Sequence, residues 1–400
     1  MSRIQGNSRE FVALMALTMS MVALSIDAML PALGIIADDL LVENPNDRQL
    51  VVSVLFIGLG IGQLIYGPVS DSWGRKSPMF FSMVLFIVGS AMSAFASSFQ
   101  IMLLGRFLQG LGAAGPRTIS VAIIRDSASG SEMARLMSLV MMVFILVPII
   151  APSLGQLMLY VSGWRAIFWA FVVIAGITLL WFQVRQPESL PVESRKPLSF
   201  GNFWTALKTT LLTRQSFVYM IASSLIFGAF VGYLNTSQQI LQEYYGLGDL
   251  FALYFALLAI SLGISSYFNS RLVRHFGLRQ LCIWALLLTA SLSTLFFIYC
   301  WFQTPDITIF MTYLMVVFLF IGTLFSNFNA LAMEPLGAVA GTASSVIGFF
   351  QTMISVSLGF LIGQLFNQNV LPLVVAFLTA SLLSLALILL FDRNTKGIPS

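Results

Sequence analysis

Runs of about 20 or more apolar residues follow one another along nearly the whole chain, with centres near residues 22, 59, 87, 112, 147, 174, 227, 259, 290, 319, 352 and 381. A helix needs roughly that many residues, rising about 1.5 Å each, to cross about 30 Å of hydrocarbon. Composition agrees: 58% of the 400 residues are hydrophobic, 9% are charged and the mean hydropathy is +0.92, outside the range of a soluble domain. The reading is an all-α polytopic membrane protein with twelve transmembrane helices. The first run follows the short basic stretch MSRIQGNSRE; it is too long for a signal peptide, lacks a small-residue cleavage site, and reads as a retained helix.

Lys and Arg fall on alternate turns. One side holds Arg75 and Lys76, Arg125 and Arg135, Arg185 through Arg214, then Arg271, Arg274 and Arg279, with Arg393 and Lys396 at the end; the other holds only Arg48 and Arg165. That second side collects the acids Asp38, Asp39, Glu43, Asp47, Glu243, Asp249 and Asp306. Basic loops stay inside, so both termini are expected in the cytoplasm, and the net charge of +4 reflects this asymmetry rather than a nucleic-acid partner. Cys282 and Cys300 lie near opposite ends of one predicted helix, too far apart to pair. His275 stands alone without a second ligand at metal spacing, so no metal is expected.

The polar stretch 185–213 divides the chain almost in half and is expected to be a cytoplasmic linker between six-helix bundles 1–184 and 214–400. A weak repeat supports this. GPVSDSWGRKSP is echoed by FNSRLVRHFGLRQ, aligning Gly74 with Gly277, and PSLGQLM by FLIGQLF, aligning Gly155 with Gly363. Two pseudo-symmetric six-helix bundles imply a rocker-type transporter with its substrate site between them. GLGIGQ (58–63) and GLGAAG (110–115) lie inside apolar runs with no preceding strand, which makes them helix-packing sequences rather than phosphate loops. No nucleophile, base and orienter recur together, so no enzyme is expected; a channel or an intramembrane enzyme are the remote alternatives.

GQLIYGPVSDSWGRKSP (62–78) resembles the loop signature of the major facilitator superfamily, and LLGRFLQGLGAAG (103–115) resembles its fourth-helix motif. APSLGQL (151–157), with Pro152 and Gly155, resembles the fifth-helix packing motif of the drug/proton antiporters, its usual glycine pair reduced to Gly155. SIDAMLPAL and VAIIRD resemble the Bcr/CflA (bicyclomycin and chloramphenicol resistance) branch. The resemblance spans the chain and implies a proton-driven exporter of drugs in a bacterial inner membrane.

Three ionisable residues are expected deep in the membrane, namely Asp27 in the first helix and Arg106 and Arg117 in the fourth. At 1.5 Å per residue Asp27 lies roughly 16 Å inside Asp38, while Arg106 and Arg117 lie roughly 9 and 25 Å inside Gln100. Eleven residues separate the arginines, about three turns, so they share one face with Gln109, which is expected to line the central cavity. The plain alternative is a static salt bridge between the two helices, but one carboxylate cannot neutralise two guanidiniums. A carboxyl group can load and release a proton as its surroundings change, which arginine cannot. Asp27 is therefore the expected proton carrier, and the resemblance implicates Arg106 in the same transfer.

The second half offers amides and an aromatic instead. Tyr233, Asn235, Gln238 and Gln239 in the seventh helix, Asn327 and Asn329 in the tenth and Gln351 in the eleventh are expected to contact substrate. The resemblance implies a cytoplasmic gate at Asp71, Gly74, Arg75 and Lys76, with Asp126 the expected partner of Arg75. Gly67 and Pro68 are expected to end or bend the second helix. The function so read is efflux of small hydrophobic or amphipathic compounds by alternating access in exchange for H+, by a monomer needing no cofactor. Export of one metabolite, such as a siderophore or amino-acid derivative, stays open on the same scaffold.

Overall fold

A computed structural model describes residues 8–195, 197–198 and 200–391, and among them every regular element is helical. Among the described residues, eleven helical segments are long and apolar enough, by length and composition, to cross a membrane. The protein is thus a multi-pass membrane protein. The remaining long helix, at Phe99–Ser127, reaches 29 residues but spends apolar length on Arg106, Gln109, Arg117 and several glycines.

Contacts divide the chain into two units, residues 1–199 with 234–259, and 200–233 with 260–400. The first contains α1 (Ser8–Asp27), α2 (Leu50–Trp73), α3 (Lys76–Ala94), α4 (Phe99–Ser127), α5 (Gly130–Ser162) and α6 (Trp164–Arg185). α4 is its hub, packed along α2 and α3. The glycines of GLGAAG make that possible: a Cβ at Gly110 would overlap the Leu55 carbonyl, and one at Gly112 the backbone of Phe86. Close backbone approach is what small residues supply where lipid gives no hydrophobic drive for helix association. α2 runs through Pro68 to Trp73 instead of ending there. The turn after it needs Gly74, whose φ of +91° few side chains tolerate.

The other unit contains the linker helix Phe200–Leu212 and most of α7 (Arg214–Gln238) and α8 (Phe251–Phe276), followed by α9 (Leu278–Phe302), α10 (Ile307–Met333), α11 (Ala340–Gln364) and α12 (Leu371–Phe391). α9 packs on α10 and α12, and the linker helix on α11. The internal repeat reappears as geometry. Gly277 follows α8 with φ +76°, as Gly74 follows α2. α7 meets α11 through Gly228, Gly232 and Gly359, much as α1 meets α5 through Gly155, although the α11 glycine at this contact is Gly359, whereas the sequence repeat aligns Gly363 with Gly155.

The boundary differs from the one expected at 184 and 214, because residues 234–259 group with the first half. Hydrogen bonds from the end of α7 to residues 46–53, described below, account for that grouping.

Candidate functional site

α1 ends as an α-helix at Asp27, passes through the short 3-10 turn Leu30–Ala32, and resumes as Leu33–Asp39. Pro31 explains the break, since it has no N–H to offer the carbonyl of Asp27 four residues earlier. The whole stretch Arg9–Asp39 is one membrane-crossing length, so the discontinuity falls inside it. Irregular backbone at such depth survives only where protein or a cavity satisfies it.

Two residues hold the break. The last turn of a helix leaves carbonyls without intrahelical donors, and Arg106 Nη2 donates to one of them, Ser25, at 2.9 Å. Its Nε donates to the Val51 carbonyl at 2.9 Å and its Nη1 to Gln109 Oε1, while the Phe168 ring lies 5.7 Å away. Gln109 in turn donates to Ser90 Oγ at 2.8 Å. One guanidinium thereby ties α4 to α1 and α2. From α5, Gly155 approaches so closely that any Cβ would overlap the Ala28 carbonyl, with Pro152 buried one turn earlier.

Asp27 itself is 5% exposed and, among the described residues, forms no ion pair or hydrogen bond. Among the described residues, no static salt bridge therefore joins Asp27 to the arginines of α4. The shared polar face is not uniformly open either: Arg106 and Gln109 are completely buried, whereas Arg117 is exposed. Their common angular position on α4 fixes direction, but what each meets depends on depth.

At the arginine-rich end of α2, Arg75 is 3% exposed and gathers the expected residues around itself. Its Nη1 donates to Asp71 Oδ1 at 2.6 Å and to Ser70 Oγ at 2.9 Å, and its Nε to Asp126 Oδ2 at 2.8 Å. Burial alone would pull its pKa down, but the Asp126 and Asp71 carboxylates hold it above its ordinary value. Glu188, which sequence reasoning did not single out, accepts from the backbone N–H of Arg75 at 2.8 Å and of Lys76 at 3.1 Å. Lys76 Nζ donates to the Gln183 carbonyl at 2.8 Å.

The amides of the second half have other partners than expected. Gln238 Oε1 accepts from Arg48 Nη1 at 3.1 Å and its Nε2 donates to Glu243 at 3.1 Å, while Glu243 pairs with Arg48 directly. Gln239 accepts from Gln49 at 2.6 Å and donates to Asn46 at 2.8 Å; Asn235 donates to Ser53 Oγ at 3.1 Å. These residues form a clasp on the side opposite Arg75. In the sequence Arg48 and Glu243 read only as loop charges and Gln49 carries no signal, so the clasp is not visible there. Elsewhere Asn327 exchanges two hydrogen bonds with Asn269 at 2.9 and 3.0 Å, Gln351 donates to Ser223 at 2.8 Å, and Tyr233 is buried edge-on to Phe318 at 5.0 Å. Asn329 is exposed.

Residues 10–360 match the family model described as Major Facilitator Superfamily. The MFS-type transporter YdgK of Bacillus subtilis (strain 168) is 32% identical over 91% of this chain and 90% of its own. A bicyclomycin resistance protein homolog of Haemophilus influenzae is 28% identical over 93% and 94%, and the multidrug resistance protein MdtL of Escherichia coli (strain K12) 31% identical over 60% of each. Among solved structures, the xylose transporter XylE from E. coli aligns over 98% of this chain and 100% of its own at a TM-score of 0.74 and 16% identity; human MFSD10 aligns over 97% and 100% at 0.71 and 17%.

Proposed function

The chain belongs to the major facilitator superfamily, and on that premise we propose that it exports small hydrophobic or amphipathic compounds, drugs of the bicyclomycin or phenicol kind among them, in exchange for protons. The observation that carries the coupling is Asp27, a carboxyl buried at a break in a membrane helix with no ion pair among the described residues. Keeping such a group charged costs several kcal/mol unless it meets water or a cation. A conformational change that alters its surroundings therefore loads or unloads a proton. Arg106 fits a positioning role, since it caps the carbonyl two residues before Asp27.

Relatives named for bicyclomycin and multidrug resistance support the substrate class. The arginine asymmetry supports an orientation in a bacterial inner membrane with both termini and the 185–213 linker in the cytoplasm. On that orientation the Asp71, Arg75 and Asp126 cluster braces the cytoplasmic side, and the clasp around Arg48 braces the other. The chain acts as a transporter, not an enzyme, and works as a monomer without a cofactor.

The test is a compound panel in a host deleted for its own pumps, followed by transport of each active compound in inverted membrane vesicles with an imposed pH gradient. Protection against several unrelated compounds and gradient-dependent uptake are expected. Transport of one metabolite only, or transport indifferent to the gradient, would overturn the reading.

A further inference from the structure

At the arginine-rich end of α2, α3 and α6 lies a cavity of about 460 Å³, lined by Trp73, Lys76, Phe80, Phe81, Glu188 and Arg195 among others. Its lining mixes two chemistries. Trp73, Phe80 and Phe81 are exposed large apolar side chains at the ends of membrane-crossing helices, where aromatic rings anchor at the headgroup level. The same lining carries the cations Lys76 and Arg195.

Neither cation has an acid within ion-pair distance among the described residues, and Arg195 Nε is buried without a hydrogen-bond partner. Lys76 Nζ meets one acceptor, the Gln183 carbonyl, which leaves two of its donors over. The single carboxylate in the wall is committed elsewhere, because Glu188 accepts from the backbone N–H groups of Arg75, Lys76 and Leu190 at 2.8, 3.1 and 3.0 Å. Burial alone would raise its pKa, but those N–H groups and nearby Arg195 together lower it. The cavity thus combines net positive charge with apolar rings at the membrane boundary.

We propose that this cavity binds the phosphodiester headgroup of an anionic phospholipid from the cytoplasmic leaflet, with Arg195 and Lys76 on the phosphate and Trp73, Phe80 and Phe81 against the glycerol and upper acyl chain. A free phosphate compound would use the cations but not the three rings, which favours the lipid. Basic pockets on the cytoplasmic side of membrane helices suit anionic headgroups for this reason. The bound lipid would bridge the α2–α3 turn to the linker next to Glu188, and so would steady the backbone that presents Arg75 to Asp71 and Asp126. This depends on the cytoplasmic orientation proposed above, not on cargo or proton coupling.

The test is lipid binding to the purified protein in neutral detergent, read by native mass spectrometry and thermal unfolding with no cargo present. Phosphatidylglycerol is expected to bind and raise the melting temperature, phosphatidylcholine to bind several-fold more weakly, and inorganic phosphate to do neither. Arg195→Gln should weaken phosphatidylglycerol roughly fivefold, about the worth of one basic side chain at an anionic surface. Arg195→Lys should recover part of it. Arg274→Gln, at an exposed basic position on the same side, should leave binding unchanged. Equal binding of the two lipids, an equal loss in Arg274→Gln, or a shift produced by inorganic phosphate alone would each overturn the proposal. Because no transport is measured, failure here is distinguishable from failure of the export reading.

Discussion

Asparagine nearly matches aspartate in shape but cannot release a proton, so Asp27→Asn separates structure from coupling. We expect that variant to bind cargo at least in part and to lose gradient-driven export, and Asp27→Glu to keep some export with a shifted pH optimum, both measured in vesicles. Arg106→Lys should also be damaging. Lysine cannot reach the Ser25 and Val51 carbonyls and Gln109 at once, and each buried acceptor left unpaired costs about 1–3 kcal/mol. A melting temperature and pH profile equal to wild type would reduce Arg106 to filler. Asp27 was legible in the sequence because a lone charge in an apolar run is expensive and so conspicuous. The cap supplied by Arg106 was not, since its partners are mostly backbone carbonyls, which every residue has. Asn235, Gln238 and Gln239 read as cavity lining for a related reason: Arg48 and Gln49, which donate to Gln238 and Gln239, each lie 190 residues away.

At the level of elements, α1 and α5 meet at the Gly155–Ala28 contact, and Gly155→Ala forces them apart. Overpacking of this kind costs about 1–3 kcal/mol, and the expected result is a lower melting temperature with export reduced as Asp27 shifts. A variant as stable and active as wild type would mean that the helices separate freely there. In the α2–α3 turn, Asp71→Asn removes one of two carboxylates from Arg75, and Asp126 retains the other. Transport should slow several-fold with cargo binding intact; a large loss of binding would instead put Asp71 in the cargo site. Apolar run length was enough to find the helices. Of the two outcomes expected at Pro68, the helix does not end there, because the carbonyl a proline frees inside a packed helix can be satisfied by neighbours, and α2 continues to Trp73.

Across the whole molecule, run count, the charged stretch near residue 190 and the aligned glycines made two similar halves legible. Which residues group by contact was not, since 234–259 join the first unit through polar side chains whose pairing has no periodic signature. Orientation is predicted by arginine placement alone: a reporter after Lys396, outside the described residues, should be active only in its cytoplasmic form, and periplasmic activity would reverse the topology. In the proposed mechanism, coupling to the proton gradient runs through the Asp27 carboxyl. It is tested most directly in proteoliposomes, by comparing wild type with Asp27→Asn for cargo accumulation under an imposed pH gradient and for exchange of labelled against unlabelled cargo without one. The variant is expected to exchange cargo but not to accumulate it. Accumulation by Asp27→Asn at the wild-type rate would contradict that mechanism and leave the carboxyl a structural role only.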